Sequence, residues 1–331
     1  MLDVGIVGLG GIGNNHARCY TENKHSRVVA VCDIDKERAD KAASLWKAKP
    51  YYSVKQMLKS EINLDACSVT TAGIENGGDH YKPTMELLQA RIPVLGEKPI
   101  SNDVNKARKM VALAKKKRVP YGVNLNHRFT PSAVRAKEWL KKGRLGELNI
   151  VNMTMWINNP NESTPWFHIR ALHPHSLDVM RYFAGDVEFV QAFFKKGKGR
   201  KIWSNVQANL LFKNGVIGHL TGSYDAGGSY GLETLELVGS DGRVVINEAC
   251  EKLSFYPRFS REVESFDHLG GMGAFPETFQ SRIGVWIDDL RTNMPPSKID
   301  AKAEDALRVQ LIIESIIKSW ETRKIVKVPQ G

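Results

Sequence analysis

Two short segments carry side chains that can move a proton. The first is Glu97-Lys98-Pro99, which directly follows the apolar run 93–96. An ammonium group at the carboxyl end of a strand can donate a hydrogen bond to a substrate hydroxyl and stabilise the alkoxide left when the proton departs. Lys98 is therefore a candidate catalytic and substrate-binding residue, although a lysine considered alone is more often a surface residue.

The second segment holds three histidines within eight residues, His168, His173 and His175, and reaches Asp178. An imidazole titrates near neutral pH, and an acid one helical turn away can fix its tautomer and raise its basicity. Three close histidines are also typical of a metal site. Here their spacing does not complete a ligand set and no acidic cluster accompanies them, so we predict no metal.

A glycine-rich turn at the start of the chain predicts a nucleotide site. The apolar run 2–7 leads into a Gly-x-Gly-x-x-Gly sequence, which joins a strand to a helix in dinucleotide-binding folds. The helix N-terminus there offers free N–H groups to a pyrophosphate. The candidate cofactor-binding residues of this turn are Gly8, Gly10, Gly11, Ile12 and Gly13.

An acidic residue follows the next strand. Asp33 ends the apolar run 28–32, 20 residues after Gly13, where a carboxylate accepts hydrogen bonds from an adenosine ribose. The next residue is Ile34, whereas an arginine at this position would favour the 2′-phosphate of NADP. NAD is therefore favoured over NADP as the cofactor, with the nearby Lys36 as a contrary sign.

The elements that must position these residues fall into two halves. Strands and helices alternate over the first ~120 residues, which predicts an α/β Rossmann domain with a parallel sheet over 1–123. In it, Ser101 is the expected cap of the helix that follows. From 148 onwards strands and hairpins dominate, before helices over 276–292 and 301–323. This pattern predicts an α+β domain over 124–331, built on a large, mostly antiparallel open sheet, for substrate binding and oligomerisation.

With these motifs in place, the chain resembles the glucose–fructose oxidoreductase / inositol dehydrogenase / rhizopine catabolism (Gfo/Idh/MocA) family over essentially its whole length. The resemblance rests on the glycine turn followed by His16, on Glu97-Lys98-Pro99 and on His175-Ser176-Leu177-Asp178. It implies an NAD(P)-dependent dehydrogenase or reductase of sugars, polyols and their derivatives. It also implies that Lys98 contacts the reacting hydroxyl, that Glu97 lies near the nicotinamide ribose, and that His175 takes up the substrate proton.

One position departs from the family. Many members carry an Asp four residues before the motif histidine, and this chain has Ala171 there. The missing negative charge should leave His175 less basic. Asp178, His173 or a residue from elsewhere then substitutes, or Lys98 carries more of the proton transfer.

Other candidate contacts flank these motifs. Thr70 and Thr71 follow the third predicted strand, where their hydroxyls can contact the diphosphate or ribose of the cofactor or can simply form the turn. Arg128 can bind an anionic substrate group with two hydrogen bonds, or it can tie the two domains together. Aromatic faces suit stacking on a sugar ring. The remaining predicted cofactor contacts are His80, Lys98 and Asn126, and the remaining predicted substrate contacts are Trp156, His168, Arg170 and His173.

Composition argues against several other classes. The 331 residues carry a net charge of +11, but the basic runs fit solvated loops and a helix C-terminus, so nucleic-acid binding is not predicted. No apolar run is long enough to span a bilayer, and no secretion signal precedes the strand at Leu2. The four cysteines are scattered and read as reduced thiols, so we expect a cytoplasmic protein.

The open sheet of the second half predicts an oligomer if both of its faces are apolar. Apolar residues such as Leu210, Phe212, Leu235 and Leu237 are expected to line its two faces, and a second apolar face would pair with another subunit in a homodimer or homotetramer.

The leading function is hydride transfer between a sugar or polyol hydroxyl and NAD. The alternatives are an enzyme that recycles a retained NAD during elimination, epimerisation or bond cleavage, and a non-catalytic NAD-binding sensor.

Overall fold

The chain forms two compact units, in a computed structural model that describes residues 1–226, 233–247, 251–267 and 275–331. The first unit holds 1–125 and 279–307, and the second holds 126–278 and 308–331. The first crossing lies within two residues of the predicted boundary at 123. The assignment of all of 124–331 to one domain is wrong, because 279–307 belongs to the first unit.

The first unit is built on a parallel six-stranded sheet, as the strand–helix alternation predicts. Its strand order, β3-β2-β1-β4-β5-β6, reverses direction between β1 and β4. In sheets of this kind ligands bind at the carboxyl ends of the strands beside such a reversal. The strands are β1 (Leu2–Val7), β2 (Ser26–Cys32), β3 (Lys49–Tyr51), β4 (Ala66–Val69), β5 (Val94–Gly96) and β6 (Tyr121–Val123).

Helices connect these strands, and one of them is capped differently from the expectation. The helix expected to start at Ser101 begins at Val104, and its cap is Asp103, whose carboxylate accepts hydrogen bonds from the N–H groups of Asn105 and Lys106. Ser101 instead accepts a hydrogen bond from Asp103 N–H. The helices are α1 (Gly11–Glu22), α2 (Lys36–Trp46), α3 (Val54–Lys59), α4 (Tyr81–Gln89) and α5 (Val104–Lys117).

A late helix, α9 (Phe275–Arg291), explains why 279–307 joins the first unit. A β-carbon placed on Gly122 of β6 would lie 2.5 Å from the Arg282 guanidinium and 3.2 Å from the Trp286 ring. The absence of a side chain at Gly122 therefore lets α9 pack directly on this edge strand. Ala301 reinforces the contact, since its carbonyl accepts a hydrogen bond from Val123 N–H at 2.9 Å.

The second unit is built on a nine-stranded sheet, in the order β14-β13-β12-β11-β7-β10-β9-β8-β15. Its pairs are antiparallel except β10 with β7, which are parallel, so the predicted mostly antiparallel sheet is confirmed. The strands are β7 (Leu148–Trp156), β8 (Val187–Lys195), β9 (Asn205–Phe212), β10 (Ile217–Ser223), β11 (Glu233–Gly239), β12 (Gly242–Asn247), β13 (Lys252–Pro257), β14 (Glu264–Phe266) and β15 (Val326–Lys327). The helices are α6 (Pro131–Lys141), α7 (Phe167–Ala171), α8 (Pro174–Ala184) and the part of α10 (Ala303–Thr322) from residue 308 onwards.

The two faces of this sheet differ. Leu210, Phe212, Leu235 and Leu237 are all buried, and residues two apart on a strand point to the same side. The expectation that they line both faces is therefore wrong, because they share the covered one. The other face mixes polar side chains with the exposed pair Leu211 and Ile217, which lie opposite each other on β9 and β10, and with His219 and Asn209.

Burial also fixes the state of the described thiols. Cys19, Cys32 and Cys67 are free and buried, and burial raises the pKa of Cys19 to about 11 and that of Cys32 to about 12. These thiols are therefore neutral and poorly reactive. Cys250 lies outside the described residues. Among the helices that are described, none is both long and apolar enough to cross a membrane.

Candidate functional site

The glycine turn between β1 and α1 has the backbone that its sequence predicts. Gly8 has a φ of +92°, and a β-carbon there would lie 2.5 Å from the Thr71 nitrogen. A β-carbon on Gly13 would lie 1.9 Å from the Gly8 oxygen, so both positions require glycine. Over Gly10 and Gly11, by contrast, a β-carbon would meet nothing within 4 Å. The turn is therefore closely packed at Gly8 and Gly13, and it has open space over Gly10 and Gly11.

Asp33 stands beside this turn at the end of β2. Its carboxylate accepts hydrogen bonds from Leu9 N–H at 2.8 Å and from Asp35 N–H at 3.0 Å. Arg38 reaches the same carboxylate at 3.5 Å, and Ile34 is 91% exposed. The structure thus places an arginine near Asp33, five residues along the chain, which the sequence prediction overlooked.

Thr70, Thr71 and His80 hold the neighbouring backbone. The Thr70 hydroxyl donates to the Gly8 carbonyl at 2.6 Å, and the Thr71 hydroxyl donates to the Asp79 carbonyl at 3.1 Å. The two ring nitrogens of His80 each lie 2.9 Å from a carbonyl oxygen, one of Thr71 and one of Pro99. These three predicted cofactor contacts therefore shape the site, and direct contact with the cofactor stays a prediction.

Glu97 is the centre of a buried hydrogen-bond network at the end of β5. Its Oε1 accepts from His16 Nε2 at 3.0 Å and from the Asn124 amide at 2.6 Å, and its Oε2 accepts from Lys98 N–H at 3.1 Å. Burial would raise the pKa of Glu97, but the hydrogen bond from His16 and its neighbouring charges hold the pKa below its usual value. The carboxylate is therefore ionised at neutral pH. On the far side of His16, Nδ1 lies 3.1 Å from the Ser68 hydroxyl.

Lys98 follows this carboxylate and is joined to Pro99 by a cis peptide bond. Burial lowers the pKa of Lys98, while the charge of Glu97 opposes that shift. An ammonium with a lowered pKa gives up a proton more readily than an exposed lysine does. Lys98 is thus a strong hydrogen-bond donor at the same sheet edge as the glycine turn.

The first unit fits a dinucleotide. No side chain caps the start of α1 at Gly10, so its N–H groups face the open space over the glycines and can receive a diphosphate. Asp33 and Lys98 follow strands on either side of that point. Asn124 adds a buried Oδ1 that accepts no hydrogen bond from any described residue and can receive the amide of a nicotinamide.

In the second unit, His175 lies in the first turn of α8, where Pro174 starts the helix. Its ring stacks on that of His127, with the ring centroids 4.1 Å apart and the planes at 17°. His127 Nδ1 in turn lies 2.6 Å from Glu233 Oε2, and both side chains are buried. His127 and Glu233 were absent from the predicted site. His127 precedes the predicted Arg128 directly, while Glu233 has no sequence signal because it is brought in from a distant strand.

Arg128 and Asp178 form a buried ion pair in this unit. Arg128 Nε donates to Asp178 Oδ2 at 2.7 Å, and Nη2 contacts Oδ1. The predicted substrate contact at Arg128 therefore already has a bidentate carboxylate partner from α8. Arg128 and Asp178 both belong to the second unit, so this ion pair does not connect the two domains.

His168 and His173 are buried against each other. Their Nε2 atoms lie 3.0 Å apart, and His173 Nδ1 lies 3.1 Å from the Ser176 hydroxyl. Burial lowers the pKa of His168 to about 3 and that of His173 well below its usual value. Both are therefore neutral at pH 7. Throughout the described ranges, no group of three or more His, Cys, Asp or Glu side chains is arranged around a metal-sized space.

The remaining predicted contacts lie in varied surroundings. Arg170 makes two hydrogen bonds to Glu314, at 3.0 and 2.9 Å, so its charge is paired. The Asn126 amide donates to Thr278 at 2.5 Å. Trp156 is half-buried at the end of β7. Their roles toward cofactor or substrate stay predictions.

The fold and these clusters together define a class. A parallel sheet with an open glycine turn, an acid after β2 and a half-buried lysine after β5 is typical of nucleotide-dependent oxidoreductases, and the second unit adds a buried cluster of two histidines and a glutamate. A family model described as an oxidoreductase family with an NAD-binding Rossmann fold matches residues 2–125. A model of the GFO/IDH/MocA C-terminal domain matches residues 133–245.

Individual proteins agree with these models. The chain is 30% identical to an inositol 2-dehydrogenase of Rubrobacter xylanophilus, covering 90% of this chain and 85% of the relative. It is 23% identical to a myo-inositol 2-dehydrogenase of Thermotoga maritima, covering 99% and 98%. Levoglucosan dehydrogenase in complex with NADH has the same fold, with a TM-score of 0.87, 19% identity and full coverage of both chains. The chain belongs to the Gfo/Idh/MocA family of NAD-binding oxidoreductases, which confirms the resemblance seen in the sequence.

Proposed function

We propose that this protein is an NAD-dependent dehydrogenase that transfers a hydride between a sugar or polyol hydroxyl carbon and NAD. Membership of the family supports NAD as cofactor and hydride transfer as reaction. The names of the relatives, which include inositol, levoglucosan and D-apiose dehydrogenases, support a cyclic polyol or sugar as substrate. When bound, NAD accepts or donates the hydride at its nicotinamide ring.

The observation that carries the proposal is the Glu97–Lys98 pair at the end of β5. An ionised, buried carboxylate next to a lysine of lowered pKa is an arrangement that active sites use to tune proton transfer. In the direction of oxidation, Lys98 donates a hydrogen bond to the substrate oxygen and stabilises its developing negative charge. His175 accepts the proton that leaves that oxygen, and the hydride leaves from the carbon.

The first test is a substrate panel followed by Lys98→Ala. Purified protein with NAD is offered myo-inositol, levoglucosan and D-apiose, and NADH is followed by its absorbance. We expect turnover with at least one of them, and we expect Lys98→Ala to lower kcat by about 10³-fold because the alkoxide loses its charged partner. Dinucleotide binding, measured by calorimetry, should stay within about twofold of the wild type.

Lys109→Ala is the matched control, because Lys109 is an exposed lysine of α5. It should leave kcat unchanged. Full activity of Lys98→Ala would contradict the assigned role of Lys98. Product formation without accumulated NADH would indicate the alternative reaction with a recycled cofactor. NAD binding without turnover on the whole panel would favour a sensor.

We also propose a homo-oligomer formed through the open face of the second unit's sheet, and a cytoplasmic location. The exposed Leu211 and Ile217 pair supports the first proposal, because exposed apolar side chains on the open face of a sheet are stabilised by a partner surface. The buried, neutral thiols of Cys19, Cys32 and Cys67 are compatible with a reducing compartment and support the second.

A further inference from the structure

Three side chains from distant parts of the second unit meet around His175. His127 comes from a single 3-10 turn (Asn126–Phe129), His175 from the first turn of α8, and Glu233 from the first position of β11. Their exposed fractions are 4% for His127, 7% for His175 and 5% for Glu233. The parallel stack of the two rings, 4.1 Å apart, continues into the 2.6 Å contact between His127 and Glu233.

The contact fixes the tautomer of His127. An ionised carboxylate can only accept hydrogen bonds, so His127 Nδ1 carries the proton that it donates to Glu233. A neutral imidazole protonated at Nδ1 has its lone pair on Nε2. The carboxylate thereby holds the His127 ring in one orientation, and the stacked His175 ring is held face to face with it.

The pair also brings a negative charge close to His175. When the His127 ring carries only the Nδ1 proton that it donates, the ring and an ionised Glu233 together carry a charge of −1. A protonated His175 ring gains from the His127 ring that it faces and from the carboxylate that is hydrogen-bonded at the edge of that ring. Ala171, the last residue of α7, contributes no charge and packs against an apolar cluster that contains Met155 and Leu172.

Most of the other titratable groups around α8 offset one another or are neutral, while Lys137 of α6 contacts the Tyr182 carbonyl towards the other end of the helix. Arg128, on the same turn as His127, is paired with Asp178 one turn beyond His175. His173, on the preceding turn, and His168, which α7 packs against it, are kept neutral by burial. Arg181, near the end of α8, is paired with Asp186. Beside these groups, Glu233 is the carboxylate that sets the charge next to His175 when the His127 ring carries a single proton.

We infer that Glu233 and His127 are positioning residues for His175: the carboxylate orients His127, and the pair orients His175 and stabilises its protonated form. The inference rests on the proposed role of His175 as proton acceptor. In the oxidation direction the substrate O–H bond breaks, the proton passes to a ring nitrogen of His175, and the hydride leaves with the electron pair of the C–H bond to NAD. The new positive charge on His175 then faces the Glu233–His127 pair.

The test is a histidine titration by NMR on the full-length protein without substrate. Protein labelled with ¹³C- and ¹⁵N-histidine is titrated, and the His175 ring signal is assigned by its loss in His175→Asn. We expect Glu233→Gln, which keeps the size and an acceptor oxygen but removes the charge, to lower the pKa of His175 by about 0.5 to 1 unit. Glu233→Asp keeps the charge and should restore most of the shift.

Glu236→Gln is the matched control, since Glu236 lies on β11 three residues further along and pairs with Arg243 and Asn152. It should leave the His175 titration unchanged. A second readout needs no variant: ¹⁵N shifts of the wild type should show His127 protonated at Nδ1. An unchanged His175 titration in a folded Glu233→Gln protein, or an Nε2-protonated His127, overturns the inference.

The same variants separate this inference from the proposed function. If His175→Asn keeps full turnover while Glu233→Gln shifts the His175 titration, the pair stands and the role of His175 as proton acceptor fails. If His175→Asn abolishes turnover and Glu233→Gln shifts nothing, the role of His175 stands and the pair fails. A purely structural role of Glu233 would lower the melting temperature without moving the titration.

Discussion

Asp33 has two roles that a single carboxylate can combine. One oxygen holds the glycine turn through Leu9 N–H, and the other holds the start of the loop into α2 through Asp35 N–H. A ribose hydroxyl that approaches this carboxylate donates to an acceptor that the fold has already oriented. The nearby Arg38 is partly neutralised by the same group.

Changing this one charge should change the choice of cofactor. Asp33→Asn keeps an acceptor for Leu9 N–H but removes the repulsion of a 2′-phosphate and releases Arg38 to meet it. We expect the KM for NAD to rise about tenfold and the KM for NADP to fall, because a hydrogen bond to a charged group contributes about 1.5–3 kcal/mol. Steady-state kinetics with both cofactors measure the ratio.

Asp35→Asn provides the comparison. Asp35 caps α2 through Arg38 N–H and also pairs with the Arg38 guanidinium at 3.3 Å. An asparagine is an equally good cap, and the variant removes one carboxylate partner of Arg38 while it keeps the carboxylate of Asp33, so the wild-type preference should persist. A preference for NAD that persists in Asp33→Asn would show that the carboxylate of Asp33 does not discriminate between the cofactors.

At the scale of elements, the junction of α7 and α8 is stabilised by keeping two histidines neutral. His168 ends up against His173 because both helices turn their imidazoles into the same apolar region, close to Tyr224. Gly222 of β10 makes room, since a β-carbon there would lie 2.1 Å from His173 Nε2. Protonating either ring in this setting has a desolvation cost that the folded state must bear.

This junction predicts a pH dependence of stability. The folded pKa values of His168 and His173 lie below the unfolded value of 6.5, so the unfolded state binds more protons between these values. Stability is fully present above about pH 6.5 and is lost as the pH falls. Each histidine should contribute a loss of about 1.4 kcal/mol per pH unit below that point, measured by urea unfolding.

The double variant His168→Gln/His173→Gln isolates this effect. It should be less stable at pH 7.5, because the packed rings are lost, but its unfolding free energy should fall less steeply between pH 6.5 and 5. Equal slopes in the variant and the wild type would mean that the two histidines are protonated inside the fold.

Local sequence signals predicted those elements whose determinants are local. Apolar runs and turn glycines located the parallel sheet and the glycine turn, since Gly8 and Gly13 are required by contacts within a few residues or one strand away. Pairings between distant residues were missed. The sequence favoured Asp178 as a partner of His175, but in the structure Asp178 pairs with Arg128. Glu233 contacts His127, which is 106 residues away in the sequence. The local pattern of apolar residues does not reveal such contacts, because they depend on which distant strands and helices come together in the folded chain.

At the scale of the molecule, the open sheet face predicts the state of assembly. We expect a dimer or larger oligomer at micromolar concentration. The double variant Leu211→Lys/Ile217→Glu places opposite charges at two positions that face each other on β9 and β10. The two new side chains attract each other, so the strand pairing is kept, but the exposed apolar surface is removed. This variant should sediment as a monomer or dissociate at concentrations at least tenfold higher than the wild type does.

Leu45→Lys is the control, because Leu45 is an exposed leucine on α2 of the first unit. It should sediment like the wild type. A wild-type protein that is monomeric at micromolar concentration, or a double variant that assembles as well as the wild type, would exclude this face as the subunit contact.

The path of the chain between its two units has a consequence for synthesis. The ribosome completes all six strands of the nucleotide-binding sheet by residue 123, but the helix that covers Gly122 on β6 arrives only after residues 126–278 have been made. At 5–20 residues per second this takes roughly 8 to 30 s. During that interval the nascent chain presents an incomplete domain with an uncovered edge strand. The first unit, although all its strands precede residue 126, is thus completed only after most of the second unit has been made.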